Sequence, residues 1–149
     1  MHKAVAEIEK EIDIPIMHIA DATAEVLVNE GFKAVGLLGT AMTMEQDFYK
    51  GRLTKKYGLK VITPDSSDRE IIHNVIFNEL CLGKTCDNSK MEYLRIIAHL
   101  SSQGAEAVIL GCTEISMLVN QYDTDVKLYD TTAIHAAKAV EFAIQDILV

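Results

Sequence analysis

Short apolar runs that end in glycine, aspartate or proline alternate along the chain with longer segments whose apolar positions recur every three or four residues. The short runs, at 14–19, 34–38, 60–63, 107–110 and 126–129, predict five buried strands. The longer segments predict helices at 3–12, 22–29, 43–57, 67–82, 88–103, 114–118 and 132–147. Strands alternating with helices of this length are the signature of βα units, so the fold class is α/β with a parallel sheet. Gly31, Gly58 and Gly104 each follow a helical run and precede a strand, as glycines that end helices in a left-handed conformation do. Asp65, Ser66, Ser67 and Asp68 offer N-caps to the helix that follows, and 83–88 reads as a loop between two helices. The chain opens on a helix rather than a strand, and the apolar Val5, Ile8 and Ile12 on that helix need a sheet to cover.

Composition narrows the class of partner. With 149 residues and 49% hydrophobic content, the chain can bury an ordinary core in one domain. A formal net charge of −8 and a pI near 5.0 argue against a nucleic-acid backbone or an anionic membrane, both of which need a basic face. No apolar run approaches the roughly 20 residues of a membrane span, and the first residues carry charges where a secretion signal needs its apolar stretch. A cytoplasmic protein is expected. Its three cysteines, Cys81, Cys86 and Cys112, lack the dense spacing of a disulfide scaffold, so free thiols in a reducing compartment are expected.

The segment from Gly104 to Ile115 reads strand, tight turn, helix start, with Cys112 in the turn. In open parallel sheets the carboxyl ends of the strands face the ligand crevice, and a helix N-terminus there stabilises a thiolate. A free cysteine is most often a small buried hydrophobe. The flanking pattern instead places Cys112 to be reactive, with Glu114 in support, although a carboxylate in a first helical turn also compensates the dipole. A second segment, Val35 to Met44, repeats strand, glycine turn and helix start. There Thr40 and Thr43 either hold a substrate carboxylate or only cap the helix. Cys81 and Cys86 have a spacing that no common zinc pattern uses, and no metal site is expected. His18 and His135 are candidates to line a cleft, whereas His2, His73 and His99 fall in no ligand pattern.

These elements together resemble the aspartate/glutamate racemase family. The resemblance is carried, in order and spacing, by Pro15-Ile16-Met17-His18-Ile19-Ala20-Asp21, Leu37-Leu38-Gly39-Thr40 with Thr43-Met44, Phe48-Tyr49, Gly104-Ala105-Glu106 and Gly111-Cys112-Thr113-Glu114. The last is the most specific. Glu45-Gln46-Asp47-Phe48-Tyr49 and Glu79-Leu80-Cys81-Leu82-Gly83 are similar to bacterial broad-specificity or L-aspartate/glutamate-specific members.

The resemblance implies two similar α/β domains with the active site between them, a small amino-acid substrate and no pyridoxal phosphate or other cofactor; apolar surface left uncovered by a shortened first domain further predicts a homo-oligomer, a dimer. It also implies a two-base mechanism: one cysteine removes the α-proton while a second group protonates the carbanion from the opposite face. Cys112 corresponds to the cysteine of the second domain, with Thr40, Thr43 and Thr113 binding carboxylate or amine. The family's opposing group lies in a Cys-Asn-Thr or Thr-Asn-Thr element just before the methionine that aligns with Met1, and this sequence does not contain that element. The expectation is therefore a shortened, weakly active or inactive form. Residues 1–21 would be a remnant of the first domain, 22–126 the second domain, and 127–149 a segment returning to the first. Cys81 stands where some members carry a lysine, whose role is not transferred. Two rival readings share the same residues: a non-catalytic carboxylate-binding product, and a decarboxylase or cis-trans isomerase of the same superfamily.

Overall fold

The structure, a computed structural model, describes residues 4–145. Four of the five predicted strands form: β1 (Ala34–Leu38), β2 (Lys60–Ile62), β3 (Ala107–Leu110) and β4 (Lys127–Asp130). They lie in the order β2-β1-β3-β4 and every neighbouring pair is parallel. Parallel neighbours need long crossovers. Helices α1 (Val5–Ile8) and α2 (Ile19–Asn29) precede the sheet, α3 (Ala41–Glu45) and α4 (Asp47–Tyr57) connect β1 to β2, and α5 (Ser66–Asn78) and α6 (Asp87–Ser102) connect β2 to β3. Two 3-10 turns lie between β3 and β4, and α7 (Thr131–Gln145) follows the sheet.

The period of two along the central strands sorts the core into two halves. Val35, Leu37, Ala107 and Ile109 pack with Ala24 and Leu27 of α2 and Leu53 of α4. Leu38, Val108 and Leu110 pack with Ile72 and Ile76 of α5 and Tyr93, Ile96 and Ile97 of α6. Helices thus cover both faces, which is why the strands read as nearly unbroken apolar runs. Gly31, Gly58 and Gly104 take positive φ of 86°, 70° and 99°, as their places after helical runs predict. β4, within the segment 127–149, hydrogen-bonds to β3, and α7 packs against α2.

Several boundaries differ from expectation. Residues 14–19 are not a strand: 14–18 carry no regular structure and α2 begins at Ile19. A strand exists only beside a hydrogen-bonded neighbour; among the described residues none lies alongside this segment, and Ile14 is 74% exposed. The helix predicted at 43–57 is two, broken at Gln46, whose φ of −90° and ψ of 151° are extended. The break lets Met44 enter one half of the core and Tyr49 and Leu53 the other. The helix predicted at 67–82 ends at Asn78 and continues as a 3-10 turn, Leu80–Leu82, which buries Leu80 and leaves Cys81 exposed. The opening helix shrinks to α1, and Ile12 is exposed; residue 3 and residues 146–147 of the predicted helices lie outside the described residues.

A charge cluster fastens α2 to α4. Asp21 accepts from Arg52 Nη2 at 2.8 Å and from Lys56 Nζ at 2.6 Å, with a further bond from Arg52 Nε. Burial pushes the Asp21 carboxyl up, but the hydrogen bonds and charges of Arg52 and Lys56 outweigh it and hold the group at about 2, against an ordinary 3.8. A depressed carboxyl contributes stability above its unfolded value and loses it as the pH falls through the folded one. Asp21→Asn is therefore expected to cost about 2 kcal/mol at pH 6, with the gap from the parent closing between pH 4 and 2. Urea titrations at several pH values check this; a gap independent of pH would remove the ionised carboxylate as its cause.

Candidate active site

The parallel register brings the ends of three strands level, with Leu38 beside Leu110 and Leu110 beside Asp130. The turns that follow, Gly39-Thr40, Gly111-Cys112 and Thr131, therefore meet at one edge. That edge is where open parallel sheets bind ligands. The turns after β1 and β3 touch. Gly111 N donates to Leu38 O at 2.7 Å, and a Cβ built on Gly111 would stand 2.6 Å from that oxygen. A Cβ on Gly39 would lie 3.0 Å from Thr43 Cγ2 and 3.3 Å from Gly111 O. The two glycines are needed for this closeness. Thr131, which the sequence reading did not single out, ties α7 to the same edge: its buried hydroxyl donates to Leu110 O at 2.9 Å.

Cys112 Sγ donates to Glu114 Oε2 at 2.9 Å, and the Thr113 hydroxyl donates to the same oxygen at 2.7 Å. Thr40 Oγ1 and Thr43 Oγ1 lie 3.1 Å apart. The predicted residues thus gather as a thiol–carboxylate pair on one turn and a hydroxyl pair on the adjoining one. Thr40 sits at the N-cap of α3 but its side chain makes no capping bond. Capping alone does not account for it.

The electrostatics of Cys112 run opposite to the expectation of a thiolate stabilised by a helix N-terminus. No α-helix follows it; Glu114 leads into a three-residue 3-10 turn, Ile115–Met117, with no run of aligned N–H groups to supply a dipole. Burial pushes the thiol up to about 12, and the hydrogen-bonded Glu114 carboxylate adds to the shift. The donors Cys112 and Thr113 hold the Glu114 carboxyl below its usual range. The resting pair is a thiol and a carboxylate. Glu114→Gln is expected to lower the Cys112 pKa and to quicken its alkylation by iodoacetamide at pH 8, read by mass spectrometry. An unchanged rate would assign the shift to burial alone.

Other candidates lie elsewhere. His18 is buried and caps α2, accepting the Ala20 N–H on Nδ1 at 3.1 Å. His135 Nε2 lies 3.0 Å from Met17 O and joins α7 to the segment before α2. A cavity of about 340 Å³ between that segment, α2 and α7 is lined by Met17, His18, Asp21 and Lys138 among others, and by none of Cys112, Thr40, Thr43, Thr113 or Glu114. The thiol, carboxylate and hydroxyls gathered at the strand edge lie outside this cavity. Among the described residues, no group of three or more His, Cys, Asp or Glu side chains is placed to hold a metal ion, and no helix is long and apolar enough to cross a membrane.

A parallel sheet covered by helices, with a thiol, a carboxylate and hydroxyls gathered at its carboxyl edge, defines an α/β protein of the open parallel-sheet class. The chain belongs to the Asp/Glu/Hydantoin racemase family, whose pattern matches residues 1–139. It is 22% identical to the broad specificity amino-acid racemase RacX of Bacillus subtilis, over 93% of this chain and 59% of that protein. A crystal structure of a Yersinia pestis protein assigned to the Asp/Glu racemases superimposes with a TM-score of 0.94 at 50% identity, covering 97% of this chain and 63% of that one. An aspartate racemase homologue from Pyrococcus horikoshii OT3 superimposes with a TM-score of 0.86 at 36% identity, covering 95% and 62%. The chain thus spans about three-fifths of the length of the relatives it matches.

Proposed function

We propose that this chain carries one of the two proton-transfer groups of an aspartate/glutamate-type amino-acid racemase that works without pyridoxal phosphate. The observation that supports this most is the Cys112–Glu114 pair at 2.9 Å, set at the strand edge beside the Thr40–Thr43 hydroxyl pair at 3.1 Å. Thr40, Thr43 and Thr113 would fix the substrate carboxylate and ammonium, and Glu114 would orient the thiol. Racemisation moves a proton between the two faces of Cα. A half-buried thiol with a raised pKa is protonated at rest, so Cys112 acts first as the acid that delivers a proton to the carbanion. The thiolate left behind is a strong base, able to remove the α-proton in the reverse direction. The opposing group belongs, in this reading, to the first domain, to which residues 1–21 and the end of 127–149 also contribute, while 22–126 form the second together with β4, which pairs with β3.

The test is deuterium incorporation at Cα of L- and D-aspartate and glutamate, followed by NMR, on this chain and on one extended to its relatives' length. Exchange with inversion in either supports the racemase. Binding without exchange in both would replace it with the carboxylate-binding reading, and a new product from a dicarboxylic acid with the decarboxylase or isomerase reading.

A further inference from the structure

The hydroxyls of Thr40 and Thr43 face each other and Thr40 makes no capping bond, while the start of α3 is held from outside. The first turn of α3 closes on Thr40 O, which accepts the N–H groups of Thr43 at 2.9 Å and Met44 at 3.1 Å. The N–H of Ala41 is one of the donors that a helix start leaves without a partner inside the helix. It is met from outside, by His73 Nδ1 on α5 at 3.3 Å, 32 positions away in sequence. Nδ1 accepts only with a free lone pair, so the ring carries its proton on Nε2.

The ring is held for this task. Phe77, one turn further along α5, packs on it with centroids 4.7 Å apart. One turn earlier, Arg69 donates to Glu45 Oε1 at 3.0 Å, at the other end of α3, and to Pro64 O at 2.6 Å. α5 therefore grips α3 at both ends. Between them lies a cavity of about 180 Å³ lined by Ala41, Glu45, Ser66, Arg69, Glu70 and His73. Without the His73 contact the Ala41 N–H loses its partner, and the turn after Gly39 that carries Thr40 is free to fray.

We propose that His73 is a positioning residue of the racemase site, which holds the Ala41 N–H at the start of α3 and so fixes the turn that carries the Thr40 and Thr43 hydroxyls for the substrate carboxylate. This rests on the racemase reading of the site. His73 touches no reacting atom in it; it acts through the turn.

The test compares the whole chain with His73→Ala and His73→Asn, since the amide oxygen of asparagine can stand near the place of Nδ1 and accept the same N–H. Hydrogen exchange of the Ala41 amide and the Kd for L-aspartate and L-glutamate are read by NMR on each. In His73→Ala the Ala41 amide is expected to exchange at least several-fold faster and binding to weaken about fivefold, the size of one net hydrogen bond, with His73→Asn restoring both. Equal binding and equal Ala41 exchange in the parent and His73→Ala would overturn the proposal. So would a loss in His73→Ala that His73→Asn does not recover, since that marks packing rather than capping. A parent chain that binds neither amino acid would overturn the racemase reading itself, an outcome distinct from a parent that binds and a variant that binds equally.

Discussion

In Cys112→Ala of the chain extended to its relatives' length, deuterium incorporation at Cα is expected to fall by on the order of a thousandfold, into the background, while the fold is retained. The fold survives because Cys112 is half-buried at the rim of the core and its sulfur meets a carboxylate rather than filling an interior gap. The Thr113 hydroxyl continues to donate to Glu114, so the carboxylate keeps a donor. Activity is lost because the thiol that donates to Glu114 is gone: Cys81, although near enough to Cys112 to act on its charge, and Cys86 are exposed, and neither bonds the Glu114 carboxylate. Cys112→Ser should fare little better, since an alcohol holds its proton far more tightly than a thiol. Circular dichroism and the exchange assay together decide the matter. A folded Cys112→Ala protein with undiminished exchange would remove this residue from the mechanism.

The second large effect is on stability. Gly111→Ala places a Cβ 2.6 Å from Leu38 O and 3.2 Å from Leu37 Cδ1. The nearest atom is backbone of the neighbouring central strand, so no rotamer change relieves the contact. It also accepts the Gly111 N–H at 2.7 Å, so the turn cannot retreat without stretching that bond. An overpacked core position costs about 1 to 3 kcal/mol, and a clash with backbone at the junction of two central strands belongs at the upper end of that range. Thermal and urea denaturation should show a loss of about 3 kcal/mol. A variant as stable as its parent would mean that the two turns separate more freely than their spacing implies.

The parts of the fold that were legible in the sequence are those set by local pattern. β1 to β4 follow from apolar runs bounded by punctuation, and Gly58 marks the end of α4 because a left-handed residue closes that helix. Segment 14–19 shows what pattern cannot supply. Its apolar residues read as a strand, but a strand is a property of two chain segments. Gln46 was hidden for a similar reason: helical periodicity continues across it, and the break reflects which side of the sheet each half must reach. At the site, the strand–turn motifs brought Thr40 and Cys112 into view and sheet register made them neighbours. A helix start after Cys112 would lower its pKa; a 3-10 turn follows instead, and burial with the Glu114 carboxylate pushes the thiol up. Thr131 and His73 had no sequence signal, since each acts across the fold on a backbone group.

The strand order has a further consequence during synthesis on the ribosome. β1 can pair with β2 soon after both emerge, but its other edge waits for β3. Glu106, which begins that turn into β3, clasps the Lys33 and Ala34 N–H groups at 2.7 and 2.8 Å from 73 and 72 positions away. Until then a two-stranded apolar ribbon stands with an open edge, the kind of template that invites pairing with another nascent chain. The thiol site closes only as the central strand is inserted. Mutations that slow the insertion of 107–110 should therefore reveal themselves as lost yield in the cell before they register as lost stability in the purified protein.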